Sequence, residues 1–285
     1  MEIGRLKDKT ILENILKIYS KKNILVDVLV VEDGFVLVCN NPEKIQEATD
    51  VYMTLMNIPK SIPLDKEWVA IKKLPLGQMS LFLMISSTLI YVLTFFPMGE
   101  VLYNNLKFQL NFNEIYRVLT PVFLHFGLFH ILFNMLWLKD LGSIIEFTYS
   151  KILFLALFIL AGVISNGLQF IFSGPEFGGM SGVIYGFLGF LWVRSNIGQE
   201  LVHPLPKRDI TLMIIWYFLC LFGLIPKVAN WAHGGGLVVG MILGLFLNLD
   251  KQKKWSKKHA EFLSMALLVL IITFFVEFFQ IKIKY

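Results

Sequence analysis

Three short segments carry chemically capable side chains inside stretches that are otherwise apolar. They are HFGLFHILFN, holding His125, His130 and Asn134; GGMSGVIYG, holding Ser181 and Tyr185; and ANWAHGGGLVVG, holding His233. Polar groups within a membrane are costly, so they are functional candidates by default. Ser181 lies between glycines at the start of an apolar run. If that run is a helix, free backbone N–H groups and the positive end of the dipole surround the hydroxyl and favour a developing oxyanion. Gly179 and its neighbours would let a substrate backbone come close. The plainer reading is a serine N-cap in a glycine-rich loop. His233 precedes Gly236-x-x-x-Gly240, a helix-packing face of small residues. Positions 233, 236 and 240 share that face, so a close neighbour would meet the imidazole. If the neighbour is the run starting at Ser181, a base reaches a nucleophile, and Tyr185, one turn in, is placed to stack on the ring. The alternative is a solvated histidine near the interface. His130 and Asn134 are spaced i, i+4 on one face. Both offer N–H donors, and one donor aimed at a tetrahedral intermediate is typically worth about 2.7–4 kcal/mol. They could instead be polar glue between helices. His125 is expected to pack or cap.

These residues need a scaffold that brings three distant segments to one depth. The chain has 285 residues, 56% hydrophobic, with a mean hydropathy of +0.65. Apolar runs of roughly 18 residues or more can cross a hydrocarbon core of about 30 Å, which predicts a mainly α, polytopic membrane bundle. Spans are expected at about 79–96, 128–147, 152–172, 181–193, 210–224 and 229–249, with a seventh at about 262–281. The fourth holds only about 13 apolar residues, about 20 Å at helical rise, so Ser181 is expected below the outer surface at the base of a water-filled cavity. Residues 1–75 differ, with 11 Lys/Arg balanced by 11 Asp/Glu. Leu6, Ile11, Ile15, Leu16 and Tyr19 suggest a helix; two β-rich runs flank Glu32-Asp33-Gly34 as a hairpin; a second helix follows from about Glu43 to Met56. The expectation is a small cytoplasmic α+β domain over 1–75, a linker from Pro63 to Pro75, a six-span core over 76–249, and a basic loop with a seventh helix over 250–285. The first 20 residues lack the short apolar region of a cleavable signal.

Basic residues orient the bundle. With the N-terminus inside, inner loops hold nine Lys/Arg, five of them in DKQKKWSKK, and outer segments hold five. The active site would then open to the outer face of the cell membrane. Arg194, Lys207 and Arg208 read as inner-face anchors, and His203 and His259 as solvated. Lys139 and Asp140 lie mid-span, turned from the His130–Asn134 face, and are expected to pair with each other or with another helix. Cys39 and Cys220 show no metal-site spacing, and a disulfide between them is not expected.

The three segments resemble the motifs of the rhomboid family in order and spacing: His125-x-x-x-x-His130-x-x-x-Asn134, Gly179-Met180-Ser181-Gly182, and Ala232-His233-x-x-Gly236-x-x-x-Gly240. Tyr116-Arg117 looks like the family's Trp-Arg pair, with Tyr in place of Trp, and Gly142-x-x-x-Glu146 matches a feature of its second span. The resemblance covers about residues 77–249. It implies an intramembrane serine endopeptidase in which Ser181 and His233 form a dyad without an acidic third member. It also implies that the Ser181 N–H, His130 and Asn134 hold the oxyanion. Its substrates would be single-span membrane proteins, cut near the outer end of the helix. No metal or organic cofactor is needed, and membrane lipid is the expected surrounding. Residues 1–75 fall outside the resemblance, so their partner is open.

Rival readings differ in class. A catalytically inactive rhomboid-like adaptor would bind transmembrane helices but should have lost Ser181 or His233. A transporter should show inverted repeats and broken helices. A membrane metalloprotease would want HExxH. The net charge of +5 comes from loops flanking apolar spans and carries no nucleic-acid recognition module.

Overall fold

In the computed structural model, which describes residues 2–56, 71–197, 205–246 and 256–284, the chain divides into two units, Met1–Leu64 and Asp65–Tyr285. The first unit runs β1 (Glu2–Leu6), α1 (Lys9–Lys21), β2 (Val26–Val31), β3 (Gly34–Cys39) and α2 (Ile45–Leu55). Its sheet is antiparallel in the order β1-β3-β2. The hairpin closes at the Val31–Gly34 pair, around Glu32-Asp33. Ile15, Tyr19, Leu37 and Ala48 are buried between helices and sheet. Leu6 belongs to β1, paired with Phe35, and not to the first helix as its spacing suggested. The reason is local. Asp8 accepts from the N–H groups of Thr10 and Ile11 at 2.6 and 3.2 Å, and a capped start leaves everything before it outside the helix. Tyr52 then secures β1, its hydroxyl accepting from Arg5 N at 3.1 Å and donating to Arg5 O at 2.6 Å.

The second unit holds seven long helices among its described residues: α3 (Gln78–Leu93), α5 (Leu128–Thr148), α6 (Lys151–Ser173), α7 (Ser181–Ile197), α8 (Lys207–Leu221), α9 (Asn230–Phe246) and α10 (Lys257–Lys284), with a short α4 (Gly99–Leu106) after α3. Of the described helices, α5, α6 and α10 are long and apolar enough to cross a membrane, and α3 and α9 are shorter apolar helices. The observed ends fall within a few residues of the expected spans, except that α10 starts earlier. The sixth span's expected end at Leu249, most of the linker and His203 lie outside the described residues.

α7 is the central post. Every residue from Gly182 to Leu191 is buried, as a helix wrapped on all sides requires. Its closest partner is α9, and glycine sets the distance. A Cβ on Gly236 would lie 1.9 Å from the Gly182 carbonyl oxygen, and one on Gly240 would lie 1.9 Å from that of Gly186. Such backbone-to-backbone approach is what small residues permit in membrane bundles.

α5 contains a π-helical stretch over Leu138–Gly142, and Asp140 there pairs with Lys72. Farther along, Glu146 accepts from Met79 N, Ser80 N and Ser80 Oγ at 2.9, 2.8 and 2.7 Å. These bonds satisfy the open N–H groups of the first turn of α3. Gly142 admits Ser80 beside it, since a Cβ there would stand 2.3 Å from Ser80 Oγ. The Gly142–Glu146 spacing is thus a clamp on the start of α3. The loop before α5 is anchored by buried Arg117, which donates to Asn104 O, Glu114 Oε2 and Lys107 O at 2.7, 2.9 and 3.1 Å.

Two residues are buried, Arg194, expected as an inner-face anchor, and His259, expected to be solvated. Arg194 is 5% exposed, because the neighbours that wrap α7 also cover the stem of its last basic residue. His259 is 7% exposed, and its Nδ1 accepts from Ser256 N at 3.1 Å across the first turn of α10. Cys39 and Cys220 are both buried and are not joined in a disulfide.

Candidate active site

Ser181 is the first residue of α7. Gly179 precedes it at φ +112°, a left-handed conformation that a side chain would strain. It is held by its N–H, which donates to Pro121 O at 2.9 Å. No side chain would fit there in any case, since a Cβ would lie 2.5 Å from His130 Nε2. The glycine therefore lets the His130 imidazole come within two residues of Ser181. The helix begins with Ile184 N donating to Met180 O at 3.0 Å. The first N–H groups of α7 have no carbonyl of the same helix to serve.

His233 sits one turn into α9, 4% exposed. Its Nε2 is 2.7 Å from Ser181 Oγ, a normal hydrogen bond for a hydroxyl donor. The Nδ1 on the far side of the ring is buried without a hydrogen-bond partner among the described residues. Position therefore comes from packing. The Tyr185 ring lies 4.7 Å from the His233 ring, tilted by 37°, and Tyr185 is fixed by its hydroxyl donating to Met213 O at 3.0 Å.

His130 and Asn134 lie on α5 facing this corner. Phe126 N donates to His130 Nδ1 at 3.4 Å, which leaves Nε2 as the protonated nitrogen beside Gly179. Asn134 Nδ2 donates to His130 O at 2.7 Å, within its own helix. Its Oδ1 is buried and unpartnered among the described residues. His125 packs: its ring lies 5.0 Å from that of His130, and its Nδ1 is 3.1 Å from Phe123 O. The structure thus brings Ser181, His233, Tyr185, Gly179 and His130 together, with Gly236 and Gly240 as the close-approach face. Asn134 stands one turn beyond His130, with one amide hydrogen already engaged.

Sequence reasoning missed a polar stripe on α6. Buried Gln169 accepts from Ala232 N at 3.1 Å through Oε1, capping the turn that carries His233. Asn166 Nδ2 donates to Val118 O at 3.0 Å, and Ser165 Oγ lies where a Cβ on Gly182 would come within 2.5 Å. The signal was available: three polar residues in a charge-free apolar span are the exceptions that the cost of burial singles out.

Residues 112–249 match the rhomboid domain family. Among curated proteins, the chain is similar to rhomboid protease GlpG of Yersinia pestis (strain Pestoides F), 31% identical over 174 residues, which is 60% of this chain and 63% of that protein. The GlpG of Yersinia pseudotuberculosis serotype IB (strain PB1/+) gives the same figures. That of Salmonella paratyphi A (strain ATCC 9150 / SARB42) is 33% identical over 142 residues, 50% of this chain and 51% of that protein. The chain spans less than two thirds of the length of these relatives. Its apolar helices and this homology mark it as a multi-pass membrane protein, and the three motif segments, the glycine-spaced pair α7 and α9, and the matched stretch agree on one conclusion: this chain carries a rhomboid domain over residues 112–249 and is homologous to the GlpG rhomboid proteases.

Proposed function

We propose that this protein is an intramembrane serine endopeptidase that hydrolyses peptide bonds in or near single transmembrane segments of other membrane proteins. The observation that carries this reading is the 2.7 Å contact between Ser181 Oγ and His233 Nε2 at the start of α7, inside the matched domain. In the mechanism, Ser181 Oγ attacks the scissile carbonyl carbon while its proton passes to His233 Nε2. Charge develops on the carbonyl oxygen beside the first N–H groups of α7, with His130 Nε2–H and a free hydrogen of Asn134 Nδ2 as further donors. The imidazolium returns its proton to the leaving amine, the C–N bond breaks, and an acyl-enzyme remains on Ser181. Water, deprotonated by His233, attacks the ester, and the imidazolium returns the proton to Ser181 Oγ as its bond to the acyl carbon breaks. His233 Nδ1 keeps its proton throughout, held by no carboxylate among the described residues.

Water must reach this site. Ser181 is partly exposed although the ten residues after it are buried, which supports a small aqueous opening above the start of α7. The nine-to-five bias of basic residues supports a cytoplasmic N-terminus, with that opening on the outer face of the cell membrane. The test is cleavage of a panel of single-span substrates by purified protein in liposomes. Wild type should cut at least one and Ser181→Ala none; cleavage by Ser181→Ala at the wild-type rate would reject the mechanism.

A further inference from the structure

The helix that carries His233 is held from outside the rhomboid domain. The match ends at residue 249, and α10 begins after it, yet α10 packs along α9 at the catalytic end. Asn230, the first residue of α9 and one turn before His233, donates from Nδ2 to Glu277 Oε1 at 2.6 Å. Asn230 is buried, and its Oδ1 has no partner among the described residues. Glu277 itself stands in a run of phenylalanines, Phe274, Phe275, Phe278 and Phe279. A carboxylate in such a run is costly and needs a reason.

A second bond lies one turn earlier on α10. The Tyr217 hydroxyl of α8 meets Thr273 Oγ1, which in turn donates to Val269 O at 2.6 Å. Both oxygens face Gly234, the residue after His233; a Cβ there would lie 2.9 Å from Thr273 Oγ1 and 3.0 Å from Tyr217 Oη. Tyr217 also packs its edge on Tyr185 at 5.8 Å, and Tyr185 is the ring against His233. Trp231 completes the contact, stacked on Phe172 at 3.9 Å and edge-on to Phe274 at 6.3 Å. Since His233 Nδ1 makes no hydrogen bond among the described residues, the imidazole is aimed only by the placement of α9 and by the Tyr185 ring. α10 touches both.

We propose that Glu277 and Thr273 are positioning residues for the dyad, clamping α9 at Asn230 and Gly234 so that His233 Nε2 stays within reach of Ser181 Oγ. The proposal rests on the reading of Ser181 and His233 as nucleophile and base. It gives the C-terminal helix a role in the reaction without contact with substrate. A misplacement of about 1 Å in a catalytic group can cost on the order of a hundred-fold, so loosening one of two clamps should cost about ten-fold.

The test compares Glu277→Leu, Glu277→Gln and Thr273→Val in the full chain in liposomes. The readouts are the rate at which a fluorophosphonate labels Ser181, kcat and KM on a single-span substrate, and the thermal unfolding midpoint. Glu277→Leu and Thr273→Val should each slow labelling and kcat by about ten-fold, with KM within about two-fold and the midpoint above the assay temperature. Glu277→Gln keeps an acceptor for Asn230 and should recover most of the wild-type rate. Wild-type labelling in folded Glu277→Leu and Thr273→Val would overturn the clamp, as would failure of Glu277→Gln to rescue. Should Glu277→Leu not fold, Thr273→Val, which removes one hydroxyl and keeps the shape, decides the matter alone. A wild-type chain that is not labelled at Ser181 would instead reject the dyad, and the clamp with it.

Discussion

Ser181 and His233 are 52 positions apart yet share one hydrogen bond, so each is expected to be useless without the other. Ser181→Ala and His233→Ala should each abolish cleavage with the fold retained, and the double variant should be hardly worse than either, because members of one nucleophilic unit are strongly non-additive. Turnover numbers for the three variants beside thermal midpoints check this. The donors are expected to be softer. Asn134→Ala should lower kcat by roughly ten- to a thousand-fold, the upper end being a full donor's share. The lower end is favoured by the Asn134 geometry, since Nδ2 already serves His130 O and the His130 Nε2–H stands nearer, against Gly179. Unchanged kcat in both Asn134→Ala and His130→Ala would remove them from the oxyanion site. The residue types of this corner were legible from the sequence, because polarity inside an apolar run is conspicuous. The direction of the Asn134 amide was not, because a choice between an i−4 carbonyl and a substrate oxygen depends on rotamers.

At the scale of elements, the decisive pair is α7 and α9. The contact of Gly240 with Gly186 O lies about two turns from His233, so a change there tests packing without altering either dyad side chain. Gly240→Ala puts a methyl group where 1.9 Å is available against backbone, and a carbonyl cannot rotate aside as a side chain can. Overpacking of this kind costs about 1–3 kcal/mol, and by moving the two helices apart it should lower kcat by about a hundred-fold; activity measured beside the unfolding midpoint separates the two effects. In the first unit, burial pushes the Tyr19 hydroxyl above the usual tyrosine range, and it donates to Ala48 O at 2.8 Å. A raised folded pKa means that its contribution is fully present below about pH 10, the unfolded value, and is lost as pH rises. Protection of residues 2–56 against hydrogen exchange, taken relative to the intrinsic base-catalysed rate, should therefore fall above that pH. Tyr19→Phe should weaken the unit by about 1 kcal/mol at neutral pH and flatten the alkaline dependence. Helix α1 and the hairpin were readable from periodicity and β-rich runs, whereas β1 was not, since a strand whose partner residues lie 29 to 36 positions away leaves little local pattern.

For the whole molecule, the first unit is expected to be dispensable for the chemistry, but where the chain is cut matters. A chain beginning at Asp65 should still cleave in detergent. One beginning at Leu74 removes Ile71, which is buried in the core of the second unit, and the Lys72 partner of Asp140. Burying an isoleucine is worth about 1.5–3 kcal/mol, so the shorter chain should unfold at lower temperature with its activity reduced in proportion. Complete loss of activity in the Asp65 chain, with the helices shown folded, would make residues 1–64 part of the machinery. The orientation prediction concerns the other end. α10 should finish outside the cell; a single cysteine at Tyr285, with both native cysteines removed, should react with an impermeant thiol reagent on intact cells. Labelling only after the membrane is opened would place that end inside.

What the sequence by itself determined is the membrane bundle, its helix order and the three segments that hold the candidate site residues. Hydropathy is a property of single segments, and a polar residue within an apolar one announces itself without any neighbour. What only the tertiary structure decided is who meets whom. The pairing of Lys72 with Asp140, the cap that Gln169 gives to Ala232, and the grip of Glu277 on Asn230 all join segments far apart in the chain. Each depends on where the helices are placed, and for α7 and α9 that distance is set by glycines whose effect depends on the backbone across from them.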